Sequence, residues 1–302
     1  MIPVNGITMH IAEQGDGPLV LLLHGWPETW HSWDKQFQPL ADAGYRVVAP
    51  DQRGFGATDC PEGVDQYTMF HLVGDVVGLI GALGEREAIV VGHDWGAPVA
   101  WHTAQFRPDL VRGVAGLSVP PAPRSSESPL TTARRMLGEG FYQNYFQREG
   151  VAEADLGKDL RVTFRKLFGG DGSGVAVVEE GSGFLGRVGD PPTLPDWLTE
   201  DDLDTMVEEF TRSGFTGGLN WYRNIDRNWE LTAPWQDAPI TPPALYLSGE
   251  QDLVRRFTDA SRLPELASDL RGAIDVPDCG HWIQRQRPAE VNSALLDFFG
   301  EL

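Results

Sequence analysis

Residues 89–98, IVVGHDWGAP, restrict the fold of this chain more than any other stretch. An apolar run ends at Gly92, an aspartate follows two positions on, and Gly96 then opens a segment of small and apolar residues. The pattern reads as a strand turning sharply into a helix. Gly92 and Gly96 stand where a side chain would collide with the adjoining strand or helix, so the turn can be tight. Such a turn lifts its central side chain, Asp94, above the carboxyl edge of a parallel sheet, beside the unpaired N–H groups of the new helix. An aspartate before a helix can also serve only as its N-cap. The glycine frame and the apolar run before it favour the elbow.

The rest of the chain supplies the sheet that this elbow needs. Short apolar runs alternate with amphipathic segments, as in a mostly parallel sheet with crossover helices. Strands are expected at 7–15, 19–25, 45–50, 88–93 and 111–120. A helix is expected over 71–84, where Leu72, Val73, Val76, Val77, Leu79, Ile80 and Leu83 recur at helical spacing. The first strand begins almost at Met1, so no preceding domain is expected. Beyond Pro120 the alternation stops and proline-rich entries and aromatic helical segments replace it. Sheet logic resumes at 243–252 and 272–282, before a last helix at 288–302. The expected organisation is an α/β core formed by 1–120 and 236–302, interrupted by a helical cap at 121–235. The GGDGSG segment at 169–174 has no strand before it and no Lys-Ser/Thr after it, so it reads as a surface loop rather than a phosphate cradle.

A carboxylate at the elbow suits attack at a saturated carbon. A serine that opened a strained ether or displaced a halide would become an alkyl ether, which water does not readily cleave. An aspartate becomes an ester, whose carbonyl water can attack with help from a base and an oxyanion hole. Epoxides and haloalkanes are therefore the candidate substrates. The base is expected to be His281 in PDCGHWIQ, on the loop after the last strand, where an imidazole can deprotonate water near neutral pH. Its orienting acid should lie on the loop after the preceding strand, where Asp252 of GEQD ranks ahead of Glu250. The order nucleophile, acid, histidine is the chain order of the α/β-hydrolase arrangement. The oxyanion is assigned to the backbone N–H groups of Trp26, in LLLHGWPE, and Trp95, the residue after Asp94. A cis bond before Pro27 would suit the tight turn there.

Taken together, HGWP, DQRGFGATD, GHDWGA, GEQD and DCGHW resemble the soluble epoxide hydrolases of the α/β-hydrolase fold, over nearly the whole chain. FYQNYFQREGVAEADL and SGFTGGLNWYRNIDRNWE look like that family's helical cap. The larger two-domain members carry an extra N-terminal domain that this chain is expected to lack. The resemblance implies Asp94 as nucleophile, His281 and Asp252 as the water-activating pair, and Tyr142 and Tyr222 as donors to the epoxide oxygen. Ring opening releases an alkoxide, a poor leaving group that a phenol can bind and protonate. Tyr145 competes with Tyr142, and any one tyrosine in an aromatic cap can be simple packing. The family's oxyanion motif usually reads phenylalanine where this chain has Trp26; the backbone N–H is retained, and the pocket shape is what the change puts in question.

Haloalkane dehalogenases share the elbow and the Asp-Trp pair, and the Trp95 indole could hold a halide. An asparagine often follows HG in those enzymes, however, and the cap tyrosines would have no evident task there. A fluoroacetate-type dehalogenase would carry arginine after the nucleophile, and Asp94 excludes a serine esterase. A binding protein that had lost the chemistry would be expected to have lost a triad member or a tyrosine. The net charge of −20 argues against a nucleic-acid partner. Cys60 and Cys279 are the only cysteines, and they show neither disulfide nor metal spacing. Apolar runs such as LVLLLHGW are too short for a bilayer, and the first twenty residues do not read as a signal peptide. The reading is a cytoplasmic enzyme whose partners are a small hydrophobic epoxide and water, with no cofactor, no metal and no membrane, and with homo-oligomerisation left open. Trp26, Trp95, Trp221 and Trp282, near the motifs, suggest an apolar pocket.

Overall fold

The apolar runs pair in parallel because both of their faces are buried. In the structure, a computed structural model that describes residues 1–170 and 174–302, a seven-stranded sheet has the order β3-β5-β4-β6-β7-β8-β9. Its strands are β3 (Ile11–Gln14), β4 (Leu19–Leu23), β5 (Arg46–Pro50), β6 (Ala88–His93), β7 (Val111–Leu117), β8 (Ala244–Gly249) and β9 (Leu270–Val276). Only β3 runs antiparallel to its neighbour. Every residue of β4, β6 and β8 is buried, so these strands read as unbroken apolar runs rather than alternating ones. The residues 171–173 of the expected GGDGSG loop lie outside the described residues.

The two-residue period of the strands sorts side chains between the faces. Val20, Leu22, Val47, Ala49, Ile89, Val91, Ala115, Leu117, Leu245 and Leu247 share one core with Phe37, Leu40, Val291, Leu295 and Phe298 of helices Asp34–Asp42 and Pro288–Phe299. Each large aliphatic side chain so buried contributes about 1.5–3 kcal/mol. Gly116, out of phase with that set, meets helix Gly96–Phe106: a Cβ there would lie 2.2 Å from the Trp101 ring.

The expected single strand at 7–15 is instead two pieces, Ile7–Met9 and Ile11–Gln14, and the first is one arm of an N-terminal hairpin. β1 (Ile2–Val4) and β2 (Ile7–Met9) pair antiparallel with Val4 opposite Ile7. The loop between them is Asn5-Gly6, with φ of 43° and 80°. This dipeptide readily supplies two left-handed residues in a row, the geometry of a two-residue hairpin. The break before β3 falls at His10, whose ring lies 2.8 Å from Asp51 Oδ2 and whose carbonyl accepts from Asp51 N–H. The expected strands at 243–252 and 272–282 stop early, at Gly249 and Val276, and their ends become loops.

Residues Met1–Gln52, Met69–Pro123 and Pro234–Leu302 form one compact unit, and Arg53–Thr68 with Arg124–Ala233 form a second. The second is helical, with seven α-helices between Pro129 and Leu231 among the described residues. Its helix Glu200–Ser213 starts on a reciprocal cap: Thr199 accepts from Asp202 N–H, and Asp202 accepts from Thr199 N–H at 2.8 Å. Assignment of 53–68 to the helical unit departs from the expected boundaries. The Trp221 indole donates to the Arg53 carbonyl at 3.1 Å, and Asn224 donates to the Val64 carbonyl. A Cβ on Gly217 would lie 2.4 Å from the Gly54 carbonyl oxygen, so the two backbones touch. No described helix is long and apolar enough to cross a membrane.

Candidate active site

Asp94 sits between β6 and helix Gly96–Phe106 with φ of 48°, in the left-handed region. For a residue other than glycine that conformation costs about 1–3 kcal/mol and persists only where the surroundings impose it. Here they do. A Cβ on Gly92 would fall 2.0 Å from the Gly96 carbonyl oxygen, and one on Gly96 would fall 2.1 Å from that of Leu23. The loop after β4 passes as closely: a Cβ on Gly25 would be 2.4 Å from Asp94 Oδ1. That approach lets the Trp26 N–H donate to Asp94 Oδ1 at 2.8 Å. The Trp26–Pro27 peptide is cis, as the tight turn leads one to expect. Trp95 follows Asp94 directly and is half-buried at the head of the helix.

His281 and Asp252 reach the elbow from the two loops that end β9 and β8. His281 Nδ1 lies 3.1 and 3.3 Å from the Asp252 carboxylate oxygens, and Nε2 lies 3.5 Å from Asp94 Oδ2. Glu250 is exposed and its side chain takes no part among the described contacts, so the geometry selects Asp252 over it. Asp252 also accepts from the Val254 N–H at 2.9 Å. Burial alone would raise the Asp94 carboxyl, but the hydrogen bond and charge of His281 hold it below the usual carboxylate range, helped by the Trp26 N–H. Burial would lower the His281 imidazole, yet Asp252 and Asp94 hold it well above its ordinary value.

Three groups around this centre escaped the sequence reading. His24 is buried, donates from Nδ1 to the Gly25 carbonyl at 2.8 Å and accepts at Nε2 from Gln52 N–H at 2.9 Å, a pattern only the neutral ring can make. Burial lowers its pKa accordingly. Glu28 and His93 form a buried pair: His93 Nδ1 lies 2.8 Å from Glu28 Oε2, and Nε2 donates to the His281 carbonyl at 2.8 Å. Glu28 also accepts from the Gly25 N–H at 3.0 Å and from Gln284 at 3.0 Å. One carboxylate thus ties the Gly25 turn to the loop that carries His281. The third group is Ser118, directly after β7 and buried against Asp252.

Burial raises the Glu28 carboxyl, but His93 and the Gly25 N–H bring it below its ordinary value. A depressed carboxylate contributes stability that is present above the unfolded pKa and lost as pH falls through the folded one. Glu28→Ala strands several buried donors and should cost about 3–5 kcal/mol in urea unfolding at neutral pH. The gap from the parent protein should narrow as pH falls through the depressed Glu28 value.

In the helical unit, Tyr142 opens the short helix Tyr142–Tyr145, and Tyr222 lies in Thr216–Arg223. Their rings meet edge to face with centroids 5.9 Å apart, in an aromatic cluster with Phe146 and Phe184. Tyr145 instead has the Arg148 guanidinium 5.9 Å over its ring. Tyr142, rather than Tyr145, is therefore the one brought against Tyr222. Gln143 donates to the Tyr142 phenol oxygen at 3.2 Å. Trp221 is buried within this unit, whereas the Trp282 and His281 rings meet edge to face with centroids 4.6 Å apart.

A parallel sheet with one antiparallel edge strand and an aspartate elbow facing a histidine-aspartate pair define an α/β hydrolase, and the family profile described as alpha/beta hydrolase fold matches residues 18–288. Within that fold the chain belongs to the epoxide hydrolases. It is 42% identical to epoxide hydrolase A of Mycobacterium tuberculosis (strain ATCC 25618 / H37Rv), over 99% of this chain and 96% of that protein. It is 37% identical to bifunctional epoxide hydrolase 2 of Rattus norvegicus, over 96% of this chain and 53% of the rat protein. The crystal structure of epoxide hydrolase A from Mycobacterium thermoresistibile superposes with a TM-score of 0.95 at 46% identity, covering 98% of this chain and 96% of the other. Epoxide hydrolase VrEH1 from Vigna radiata superposes with a TM-score of 0.93 at 36% identity, covering 99% and 96%.

Proposed function

We propose that the protein converts hydrophobic aryl- or alkyl-substituted epoxides into vicinal diols through an ester on Asp94. The observation that carries this is the Asp94 carboxylate itself, with Oδ1 on the Trp26 N–H at 2.8 Å and Oδ2 at 3.5 Å from His281 Nε2. In this reading Oδ2 attacks an epoxide carbon and the ring C–O bond breaks. The resulting alkoxide takes a proton from Tyr142 or Tyr222, and the phenolate recovers its proton from solvent. Oδ1 becomes the ester carbonyl oxygen, already on the Trp26 N–H; Trp95 N–H is the second donor we assign. Water then loses a proton to His281 Nε2 and attacks the ester carbon. The tetrahedral oxyanion collapses, the imidazolium returns its proton to the departing alkyl oxygen, and the diol leaves. The Asp94 carboxyl then releases its remaining proton to solvent, balancing the one the phenolate took up, and the carboxylate is restored.

The electrostatics suit this order. Two carboxylates raise His281 in the free protein, and ester formation neutralises one of them. Loss of that charge makes the imidazole more acidic at the point where it must act as a base. We read the helical unit as a cap domain and the cytoplasm as the compartment, in keeping with the free, exposed Cys60.

The test is diol formation from a panel of aryl and alkyl epoxides, with halide release from haloalkanes measured alongside. Diol without halide is expected; halide without diol would overturn the proposal. Tyr142→Phe and Tyr222→Phe should each lower kcat/KM on epoxides by about 10–100-fold, because each removes an acid for the alkoxide. Parent-like kcat/KM in both would make the tyrosines packing residues.

A further inference from the structure

Ser118 is a costly choice for its position. It follows β7 directly, is fully buried and has φ of 73°, where glycine would sit without strain. The backbone is pinned by the adjacent strand: its N–H donates to the Leu247 carbonyl at 2.8 Å, and its carbonyl accepts from the Tyr246 hydroxyl at 2.8 Å. The side chain is thereby aimed at one place. Oγ lies 2.5 Å from Asp252 Oδ2 and 3.0 Å from His281 Nδ1.

A hydroxyl carries one proton, and an ionised carboxylate can only accept. The Ser118 proton therefore goes to Asp252, and an Oγ lone pair faces His281 Nδ1. That nitrogen has acceptors on every near side: Asp252 Oδ1 at 3.1 Å, Asp252 Oδ2 at 3.3 Å and Ser118 Oγ at 3.0 Å. Nδ1 must hold a proton in either charge state of the ring, so the proton lost when the imidazole becomes a base is the one on Nε2, the side that faces Asp94. The Ser118 hydrogen bond also helps to keep Asp252 ionised against the burial that would raise it.

We propose that Ser118 is a positioning residue for the hydrolytic half-reaction, a third member of the His281–Asp252 pair that fixes the Nδ1–H tautomer and ring orientation of His281. The proposal rests on the reading of Asp94, His281 and Asp252 given above. It places the effect of Ser118 after ester formation, because attack by Asp94 uses neither tautomer of the imidazole as a base.

The experiment compares Ser118→Ala and Ser118→Gly with the parent protein on styrene oxide. Glycine relieves the left-handed strain while deleting the hydroxyl, so folding is preserved in at least that variant. Intact-protein mass spectrometry follows formation and decay of the Asp94 ester in single turnovers, and steady-state kinetics give kcat and KM. The expected result is ester formation within about twofold of the parent and ester decay slowed about tenfold or more, the scale of one hydrogen bond to a charged pair. Both kcat and KM should fall together, leaving kcat/KM nearly unchanged. A fall in kcat at constant KM would mean a loss of active molecules, and parent-like decay would mean that the hydroxyl is dispensable; either overturns the proposal. If the parent makes diol while no ester appears in it or in a His281→Gln control, the Asp94 reading itself has failed, a result distinct from failure of the Ser118 proposal alone.

Discussion

With alanine at position 94, Asp94→Ala, the protein should make no diol at any epoxide concentration and should acquire no covalent adduct. The expected loss is at least about 10⁴-fold, since in the proposed mechanism the group removed makes and then carries the covalent bond. No neighbour can replace it. His281 faces the site through Nε2 but is held in place by Asp252 through Nδ1, and Glu28 is committed to His93, Gly25 and Gln284. The variant should remain folded, because Gly92, Gly96 and the Asp94 backbone bonds to Leu117 and Ala97 set the turn independently of the carboxylate. Thermal unfolding of Asp94→Ala checks this, and diol chromatography checks the activity. Diol formed at a near-parent rate by a folded variant would remove Asp94 from the mechanism.

His281→Gln should separate the two halves of the reaction. Glutamine can occupy the space and donate a hydrogen bond but cannot accept a proton from water, so the first step survives and the second stalls. Ester decay should slow by about 10³-fold or more, comparable with loss of a general base that acts within a triad. Because opening an epoxide expels no leaving group, the adduct should add the whole mass of the epoxide to the protein. A haloalkane would instead add its alkyl group without the halide. In the parent, decay of the ester should speed up as pH rises through an imidazole pKa below that of the free protein, where Asp94 and Asp252 together raise it. A His281→Gln protein that turns over normally without an adduct would contradict the base assignment.

The parts of this site that are legible in the sequence are those that depend on local geometry. Gly92 and Gly96 around Asp94 specify a turn whose collisions the structure measures at 2.0 and 2.1 Å. The loops carrying Asp252 and His281 follow from strand ends, and the sequence ranking of Asp252 ahead of Glu250 agrees with the burial of the first and the exposure of the second. Ser118 was not legible: nothing in LSVPP distinguishes a strand-end serine from one whose hydroxyl meets two residues more than 130 positions away. The Glu28–His93 pair is equally non-local, spanning 65 residues. The N-terminal hairpin, by contrast, had a signal in Asn5-Gly6 that the apolar run at 7–15 obscured. Residues 53–68 join the helical unit through the Trp221 indole and the Gly54–Gly217 approach, which no sequence period announces.

Oxygen tracing tests the central claim most directly. A single turnover of the parent protein on styrene oxide in water enriched in oxygen-18 follows each oxygen through the two steps. If the ester forms on Asp94 and water attacks its carbonyl carbon, the diol takes its new oxygen from the aspartate and carries no label. One heavy oxygen then remains in the peptide that contains Asp94. Labelled diol together with an unlabelled Asp94 peptide would mean that water attacks the epoxide itself, and would contradict the account.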